Sequence, residues 1–268
     1  MVSRRRLDAE LVRRGRARSR EQAARLVSAG LVSVAGQAAA KPATQVAPDE
    51  PIVVRERRAG PEYASRGGVK LAGALSVFTA RGLAVAGRRC LDAGASTGGF
   101  TDVLLRAGAG HVVAADVGYG QLAWSLRTDE RVTVLDRVNV RMLTPGQVAP
   151  PPELVTADLS FISLSLVLPA LAACAATDAD FVLLVKPQFE VGRGRVGAGG
   201  VVRDPQLRAE AVTSVAAAAA TLGLGVAGVT PSPLPGPSGN VEYFLWLRRG
   251  APPLDPEQVR RAIAKGPE

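Results

Sequence analysis

The sequence contains little of what metal centres and disulfide scaffolds are built from. Its 268 residues include two cysteines, Cys90 and Cys174, and one histidine, His111. These three residues do not form the clustered pattern of thiolates and imidazoles that a zinc site requires, so we expect no bound metal. Two cysteines make no disulfide framework either, which favours a reducing compartment and a cytoplasmic protein.

Lysine is also scarce. Only four of the 33 cationic residues are lysines, namely Lys41, Lys70, Lys186 and Lys265. Arginine serves wherever a permanent positive charge is sufficient, whereas lysine can also lose its proton. The lysines within the larger predicted domain, Lys70 and Lys186, are therefore candidates for proton transfer.

Two uncharged stretches are long enough to cross a membrane, residues 159–177 and 211–230. The first contains Pro169 and four Ser or Thr residues, and the second consists mostly of Ala, Gly and Thr. These compositions favour buried elements of an α/β core over insertion into lipid. No apolar run follows the N-terminal arginines, so we expect neither an export signal nor a membrane partner.

Positive charge is concentrated in the first quarter of the chain. Residues 1–60 carry thirteen Lys and Arg against six Asp and Glu, and residues 61–268 carry twenty against eighteen. The overall charge of +9 therefore belongs mainly to the N-terminal segment. This asymmetry indicates a nucleic-acid partner, with a solvated arginine-rich helix as the alternative.

The N-terminal segment predicts a small α+β module. A helix is expected over residues 6–14, and Ser19 with Gln22 opens a second helix that Gly30 ends. Short strands are expected near residues 31–34, 44–46 and 52–54. The run RLDAELVRRGRARSREQAARLVSAGLVSVAGQ resembles the alpha-L RNA-binding domain of small-subunit ribosomal protein four. The candidate RNA-binding side chains of this module are Arg4, Arg6, Arg16, Arg18, Arg20 and Arg25.

After residue 61 the pattern changes to alternating strands and helices. The predicted strands are 89–93, 111–116, 132–135, 154–158, 181–186, 225–229 and 241–247. This alternation predicts a Rossmann-like α/β domain with a mostly parallel seven-stranded sheet. We expect an RNA-binding domain at 1–60, a linker at 58–61, a catalytic domain at 61–250 and a C-terminal tail helix within 251–268.

A glycine-rich turn, DAGASTGGF, joins the first predicted strand of this domain to a helix. Its spacing is GxxxGG and not the dinucleotide GxGxxG. Asp116 ends the next strand, where an acid can accept both hydroxyls of a ribose. The pattern favours an adenosine-bearing ligand without a pyrophosphate, such as S-adenosylmethionine, over a tight turn without ligand. The candidate cofactor residues are Asp92, Gly94, Ser96, Gly98, Gly99, Phe100, Asp116 and Asn139, with Asp136 as an alternative to Asn139 near the adenine.

Four ionisable residues are candidates for catalysis: Lys70, Asp158, Lys186 and Glu242. Asp158 ends the fourth predicted strand and Lys186 ends the fifth, which places both at the ligand edge of the sheet. Two lysines and two acids, with no histidine or cysteine beside them, suit methyl transfer to a hydroxyl. Burial and a neighbouring cation would leave one lysine uncharged and able to act as a base, while the acids orient the lysines. Structural salt bridges are the alternative reading of each residue.

These residues, together with the motifs DAGASTGGFTD, ADVGYGQL, ADLSFISL, KPQFEVGR and GNVEYFLW, resemble the TlyA-type rRNA 2'-O-methyltransferases, also called hemolysin A, with an FtsJ-like catalytic domain. The resemblance implies methylation of a cytidine ribose in 16S rRNA, 23S rRNA or both, with S-adenosylmethionine as cofactor. It implies the tetrad Lys70, Asp158, Lys186 and Glu242. Relatives of the FtsJ type carry Pro-Gly-Gly-Trp where this chain has Thr97-Gly98-Gly99-Phe100. We expect a monomer that acts on rRNA within ribosomal subunits.

Further RNA contacts are expected near the catalytic residues. The glycine-rich segment 192–200 contains Arg193 and Arg195, and Arg66 precedes Lys70. We expect segment 192–200 to be a mobile loop that closes over RNA, the alternative being a flexible surface loop. Tyr119 and Phe189 are candidates for stacking on a flipped base or for packing.

Two other function classes remain open at this point. The chain is alternatively a non-catalytic RNA-binding protein of ribosome assembly, or a pore-forming cytolysin, as the name hemolysin suggests. The cytolysin requires export and a segment able to enter a membrane, and the sequence shows neither convincingly.

Overall fold

The computed structural model describes residues 4–54 and 63–266, and of Arg193 only the backbone. The chain divides into two compact units, residues 1–62 and 63–268. The predicted linker at 58–61 lies outside the described residues.

The first unit packs two short helices against two small sheets. Its elements are β1 (Arg5–Arg6), α1 (Leu7–Arg13), α2 (Arg20–Ser28), β2 (Val32–Val34), β3 (Gln37–Ala38), β4 (Gln45–Val46) and β5 (Ile52–Val54). β1 pairs with β4, and the second sheet has the order β3-β2-β5, all antiparallel. The core combines apolar side chains from one face of each helix, among them Leu7, Leu11, Ala23 and Val27, with buried side chains of β2, β4 and β5.

The Ser19 side chain caps α2 by accepting a hydrogen bond from the Gln22 amide at 3.1 Å. The Gln22 side chain accepts from the amide of Arg18 at 2.7 Å, one residue before the Ser19 amide that a standard capping box uses. The predicted start of the second helix is therefore confirmed, with a shifted partner for Gln22.

The second unit contains a seven-stranded sheet with helices on both faces. Its strands are β6 (Arg89–Ala93), β7 (His111–Asp116), β8 (Val132–Asp136), β9 (Leu154–Ala157), β10 (Asp180–Val185), β11 (Leu224–Pro231) and β12 (Tyr243–Arg249). Its helices are α3 (Arg66–Thr79), α4 (Gly99–Arg106), α5 (Trp124–Arg127), α6 (Pro145–Val148), α7 (Leu164–Cys174), α8 (Pro187–Glu190), α9 (Pro205–Ala220) and α10 (Pro256–Ala264).

The strand order is β11-β12-β10-β9-β6-β7-β8. Five strands, β6 to β10, run parallel, and β12 runs antiparallel between β10 and β11. The predicted Rossmann-like, mostly parallel seven-stranded sheet is thus confirmed. Because the chain moves outwards from β6 to β8 and then returns to β9 on the other side of β6, the strand order reverses between β6 and β9. Ligands bind at such a reversal, beyond the carboxyl ends of the strands.

Two apolar clusters cover the two faces of the sheet. One includes Phe78 of α3, Leu104 of α4 and Trp246 of β12. The other includes Leu168 of α7 and Val212 of α9. The sequences of the parallel strands are nearly continuous runs of apolar residues because both faces of the sheet are buried.

The C-terminal helix is part of this packing. Val259 and Ala262 of α10 belong to the same core cluster as α7 and α9. The helix predicted as a C-terminal tail within residues 251–268 is therefore not separate, because α10 packs into the core of the second unit.

Candidate active site

The site lies where β6 and β9 end side by side. The Asp158 amide donates to the Ala93 carbonyl at 3.0 Å, which continues the pairing of these two strands by one residue. The glycine-rich turn that follows β6 therefore lies directly against the Asp158 backbone. An ideal Cβ on Gly94, whose φ is +85°, would lie 2.6 Å from the Asp158 carbonyl oxygen. Only glycine fits at position 94 because the backbone is left-handed there and has no space for a side chain.

Asp116, at the end of β7, organises the wall of the first of two cavities. Its two carboxylate oxygens accept backbone hydrogen bonds from Ser96, at 2.8 Å, and from Gly118, at 2.7 Å. Asp116, Ser96, Gly94 and Asn139 line a cavity of about 470 Å³. Asn139 also accepts from the Arg141 amide at 3.1 Å. The Asp116 carboxylate is held at the end of β7, the second strand of this unit, and lies beside the glycine turn. A carboxylate in this position fits a ribose-bearing cofactor.

Lys186 and Asp158 meet across the ends of β9 and β10. The Lys186 Nζ atom lies 2.6 Å from Asp158 Oδ1 and donates to Ser160 Oγ at 3.0 Å. Lys186 is buried, with 8% of the residue exposed, although it follows five apolar residues at the end of β10. A charge removed from water in this way requires a partner, and Asp158 provides it.

Lys70 and Glu242 form a second buried pair. Lys70 lies in the second turn of α3, and its Nζ atom donates to Glu242 Oε2 at 2.5 Å. The exposed fractions of the two residues are 6% and 1%. Glu242 directly precedes β12 and is enclosed by the turn that includes Gly236, where an ideal Cβ would lie 2.7 Å from Glu242 Oε1. Each lysine therefore has its own carboxylate, which the sequence alone did not establish.

Lys70 and Lys186 line the same cavity of about 300 Å³, together with Asp158, Ser160 and residues of the glycine turn. This second cavity shares Gly94, Ser96, Asp158 and Ser160 with the first, so the two adjoin. The arrangement therefore places both lysines next to a space large enough for part of a nucleotide. Glu242 lies behind Lys70 and does not line this cavity.

Other residues predicted to bind the cofactor lie within or beneath the turn. Gly99 and Phe100 line the smaller cavity, and the Phe100 ring packs 5.9 Å from Phe244. Gly98, with φ +96°, precedes the first residue of α4 and packs towards Leu126. These residues shape the turn, and their contacts with a cofactor stay a prediction.

Asp92 is fully buried, and it lines neither cavity. Its Oδ2 atom accepts from Thr101 Oγ1 at 2.6 Å. Burial, opposed by the bond from Thr101, raises the pKa of this carboxyl group to about 7. Its hydrogen bond with Thr101 links the end of β6 to the first turn of α4, on either side of the glycine turn. Direct contact between Asp92 and a cofactor stays a prediction.

The arginines predicted to bind RNA fall into two groups. Arg6 and Arg20 pair with the buried Asp8 at 2.9 and 3.1 Å, and Arg25 lies 3.5 Å from Glu21. Of the six arginines predicted in the first unit, the other three, Arg4, Arg16 and Arg18, are exposed and form no ion pair with a described residue. The guanidinium groups of these three arginines are therefore available to bind phosphate groups.

Near the candidate catalytic residues, Arg66 is exposed, lines the 300 Å³ cavity and donates to the Pro235 carbonyl at 3.4 Å. Arg195 donates to the Val191 carbonyl at 2.9 Å and pairs with Glu210 at 2.5 Å. The predicted mobile loop contains two short 3-10 turns, Arg193–Arg195 and Ala198–Gly200. Arg195 is thus held by its own unit, while the side chain of Arg193 lies outside the described part.

Sequence reasoning missed two residues at this edge. Phe161 lines the 470 Å³ cavity with 92% of its surface exposed and φ +65°, and its ring centroid lies 5.2 Å from that of Phe189. Ser160 binds Lys186. The motif ADLSFISL contains one signal, an aromatic residue among polar ones shortly after Asp158, the candidate catalytic acid. Tyr119, also exposed, lies under the Arg137 guanidinium at 4.3 Å.

Neither a metal cluster nor a membrane span was found in the part of the chain that the structure describes. No three His, Cys, Asp or Glu side chains of residues 4–54 and 63–266 are grouped as metal ligands. Among the same residues, every helix is too short or too polar to cross a bilayer.

Comparison with known proteins agrees with this architecture. The family model for FtsJ-like methyltransferases matches residues 63–249, and the model for the S4 domain matches residues 5–52. The chain is 61% identical, over the whole of both chains, to the 16S/23S rRNA (cytidine-2'-O)-methyltransferase TlyA of Mycobacterium tuberculosis.

Solved structures give the same result. A protein of Streptococcus thermophilus described as a candidate hemolysin has a TM-score of 0.76 and 38% identity, with 99% of this chain and 96% of that chain covered. A candidate S-adenosylmethionine-dependent methyltransferase of Listeria monocytogenes shares the fold at a TM-score of 0.50 and 14% identity, covering 67% of this chain and 99% of that one. With an S4 domain, an FtsJ-like domain and 61% identity to TlyA over its full length, this chain belongs to the TlyA family of FtsJ-like methyltransferases.

Proposed function

We propose that the protein transfers the methyl group of S-adenosylmethionine to the ribose 2'-hydroxyl of a cytidine in ribosomal RNA. The observation that carries the proposal is the joining of two cavities at Asp158. One has the ribose-binding acid Asp116 in its wall, and the other presents Lys70 and Lys186. The M. tuberculosis relative named for cytidine 2'-O-methylation of 16S and 23S rRNA supports the choice of substrate.

The residues present fit S-adenosylmethionine. Gly94 lets the turn lie against the Asp158 backbone and lines both cavities without a side chain. Asp116 is held by two amides, with acceptor capacity left for hydroxyl groups. Asn139 lies in the same wall and can meet the adenine. When bound, S-adenosylmethionine supplies a methyl group on a positively charged sulfur, which an oxygen nucleophile can attack.

The chain's own residues then activate and orient the ribose hydroxyl. Lys186, in its uncharged form, takes the hydroxyl proton, and Asp158 and Ser160 hold its Nζ atom at the boundary of the two cavities. With the methyl donor bound, the oxygen would bond to the methyl carbon as the carbon–sulfur bond breaks, and S-adenosylhomocysteine would be the leaving group. Lys70, held by Glu242, contributes positive charge beside the oxygen.

The S4 unit supplies RNA affinity without base specificity. Its exposed, unpaired arginines suit the phosphates of structured RNA. Phe161, exposed at the cavity wall, is suited to stack on the base of a nucleotide that has left its helix. We propose that the protein acts in the cytoplasm on rRNA within ribosomal subunits and works as a monomer.

The test is methyl transfer from radiolabelled S-adenosylmethionine to isolated 30S and 50S subunits of cells that lack this activity, with mapping of the labelled nucleoside. We expect label in 2'-O-methylcytidine. Lys70→Ala and Lys186→Ala should abolish transfer and retain subunit binding, whereas the exposed Lys265→Ala should transfer normally. Label on a base would contradict the proposal, as would undiminished transfer by the Lys186 variant.

The same experiment separates the other function classes. A non-catalytic assembly protein would bind subunits without labelling them. A cytolysin would release dye from liposomes in the absence of S-adenosylmethionine.

A further inference from the structure

Two chain segments carry the Lys186–Asp158 pair. The Asp158 segment (residues 158–164) connects β9 to α7, and the Lys186 segment (residues 186–190) follows β10 and includes α8. The Asp158 segment follows β9 and the Lys186 segment follows β10, and these two strands are neighbours in the sheet. The position of Lys186 Nζ relative to Asp158 therefore depends on how these two segments are held together.

The segments contact each other at three successive levels. At the sheet edge, Lys186 contacts Asp158 and Ser160. Next, the rings of Phe189 and Phe161 lie 5.2 Å apart. Furthest from the sheet edge along both segments, Glu190 binds the start of α7.

The contact of Glu190 is bidentate. Its Oε2 atom accepts from Ser163 Oγ at 2.5 Å, and its Oε1 atom accepts from the Leu164 amide at 2.9 Å. Ser163 in turn accepts from the Ser165 amide at 3.2 Å and so caps α7. Burial raises the pKa of Glu190. Glu190 lines neither of the two cavities of the candidate active site, so it does not touch the reactants.

We infer that Glu190 is a positioning residue, which fixes the Asp158 segment against the Lys186 segment and so sets the Lys186–Asp158 contact. The inference rests on the proposed function. Glu190 supplies the polar contact at the far end of the two segments, while Lys186 supplies the contact at the sheet edge. Without the Glu190 contact, α7 stays anchored by its buried residues Val167, Leu168 and Leu171, whereas the segment before it loses its clamp.

A purely structural helix cap is the competing explanation, and the two differ in what they change. Loss of a cap lowers stability wherever it occurs and reduces the amount of active protein. Loss of a positioning contact lowers the turnover of correctly folded enzyme and leaves cofactor binding unchanged, since the wall at Asp116 is not disturbed.

The experiment uses the full-length protein and three variants. Glu190→Ala removes both hydrogen bonds. Glu190→Gln retains an oxygen for the Leu164 amide and can donate to Ser163. Asp255→Ala is the matched control, because Asp255 caps α10 through the Glu257 amide at 2.9 Å and is remote in sequence from both segments. For each protein we would measure kcat and KM for S-adenosylmethionine on ribosomal subunits, the thermal midpoint, and hydrogen exchange at the Leu164 amide.

We expect Glu190→Ala to lower kcat by about tenfold to a hundredfold, with KM for S-adenosylmethionine within about twofold of the wild type. The Leu164 amide should exchange faster in this variant. Glu190→Gln should recover most of kcat and the protection of Leu164. Asp255→Ala should lower the thermal midpoint without lowering kcat per folded molecule.

Three results would overturn the inference: unchanged kcat in Glu190→Ala, a loss of kcat no larger than in the Asp255 control, or unchanged exchange at Leu164. A wild-type protein that transfers no methyl group would instead reject the proposed function. In that case, exchange at Leu164 alone decides whether Glu190 holds the segment.

Discussion

Lys70 and Glu242 are 172 residues apart in the chain, and their side chains meet at 2.5 Å in the interior of the second unit. The pair joins α3 to the residue just before β12, two elements that lie far apart in the sequence and meet in the tertiary fold. Both residues are more than nine-tenths buried, so each requires the other.

Removal of one member of this pair should destabilise the protein more than removal of both. Glu242→Leu and Lys70→Met each leave an uncompensated buried group, at a cost of about 3–5 kcal/mol. The double variant Lys70→Met with Glu242→Leu should cost clearly less than the sum of the two single changes. Urea unfolding of the four proteins measures the coupling, and strictly additive costs would show that the contact is not a coupled pair.

Gly94→Ala should weaken binding of S-adenosylmethionine. The new methyl group would meet the Asp158 carbonyl at 2.6 Å in a left-handed backbone, so the turn must move. We expect the Kd to rise by about tenfold or more, measured by calorimetry. Gly87→Ala is the control, because Gly87 has φ +75° and no atom within 4 Å of its Cβ position. Equal losses of affinity in the two variants would contradict the steric explanation.

Asp92 should make the protein less stable as the pH rises. Its pKa is raised from 3.8 to about 7 by burial, so between these values the folded state holds a proton that the unfolded state has released. The contribution of Asp92 to folding free energy is therefore lost progressively across this window, by an amount on the order of a few kcal/mol.

Asp92→Asn should remove this pH dependence, since the amide does not titrate. Denaturant unfolding of both proteins from pH 4 to pH 8 gives the difference in free energy. We expect the variant to gain stability relative to the wild type with increasing pH. A constant difference would show that Asp92 does not titrate in this range.

The unpaired arginines of the S4 unit should carry most of its RNA affinity. Arg16→Gln and Arg18→Gln should each weaken binding to ribosomal subunits and lower the slope of log affinity against log salt by about one, if each contacts one phosphate. Arg131→Gln, in which the replaced residue pairs with Asp129 at 2.7 Å, is the control. Filter binding at several salt concentrations checks this, and an unchanged slope in the Arg16 and Arg18 variants would place the RNA elsewhere.

The sequence predicted the sheet with small errors at its boundaries. β6 and β7 begin and end at the predicted residues, whereas β10 begins and ends one residue earlier than expected, so that Lys186 follows the strand. Buried parallel strands are recognisable because both faces are apolar, but their ends depend on hydrogen bonds to neighbours that the sequence does not show.

The sequence was less informative about charged side chains. It grouped Arg6, Arg20 and Arg195 with the RNA-binding residues, and the structure pairs each with an acid of its own unit. An arginine that is already paired and one that is free look alike in a sequence, because the distinction depends on which acid folds next to it.

By itself, the sequence determined what depends on a few consecutive residues: a glycine turn after an apolar strand, an acid at the end of the next strand, and a helix opened by Ser19. Only the tertiary structure decided that Lys186 faces Asp158, that Lys70 faces Glu242 and that Asp92 is buried beneath the turn. The physical reason is that local propensity acts through neighbours in the chain, whereas burial and ion pairing are set by the register and order of strands from distant parts of the chain.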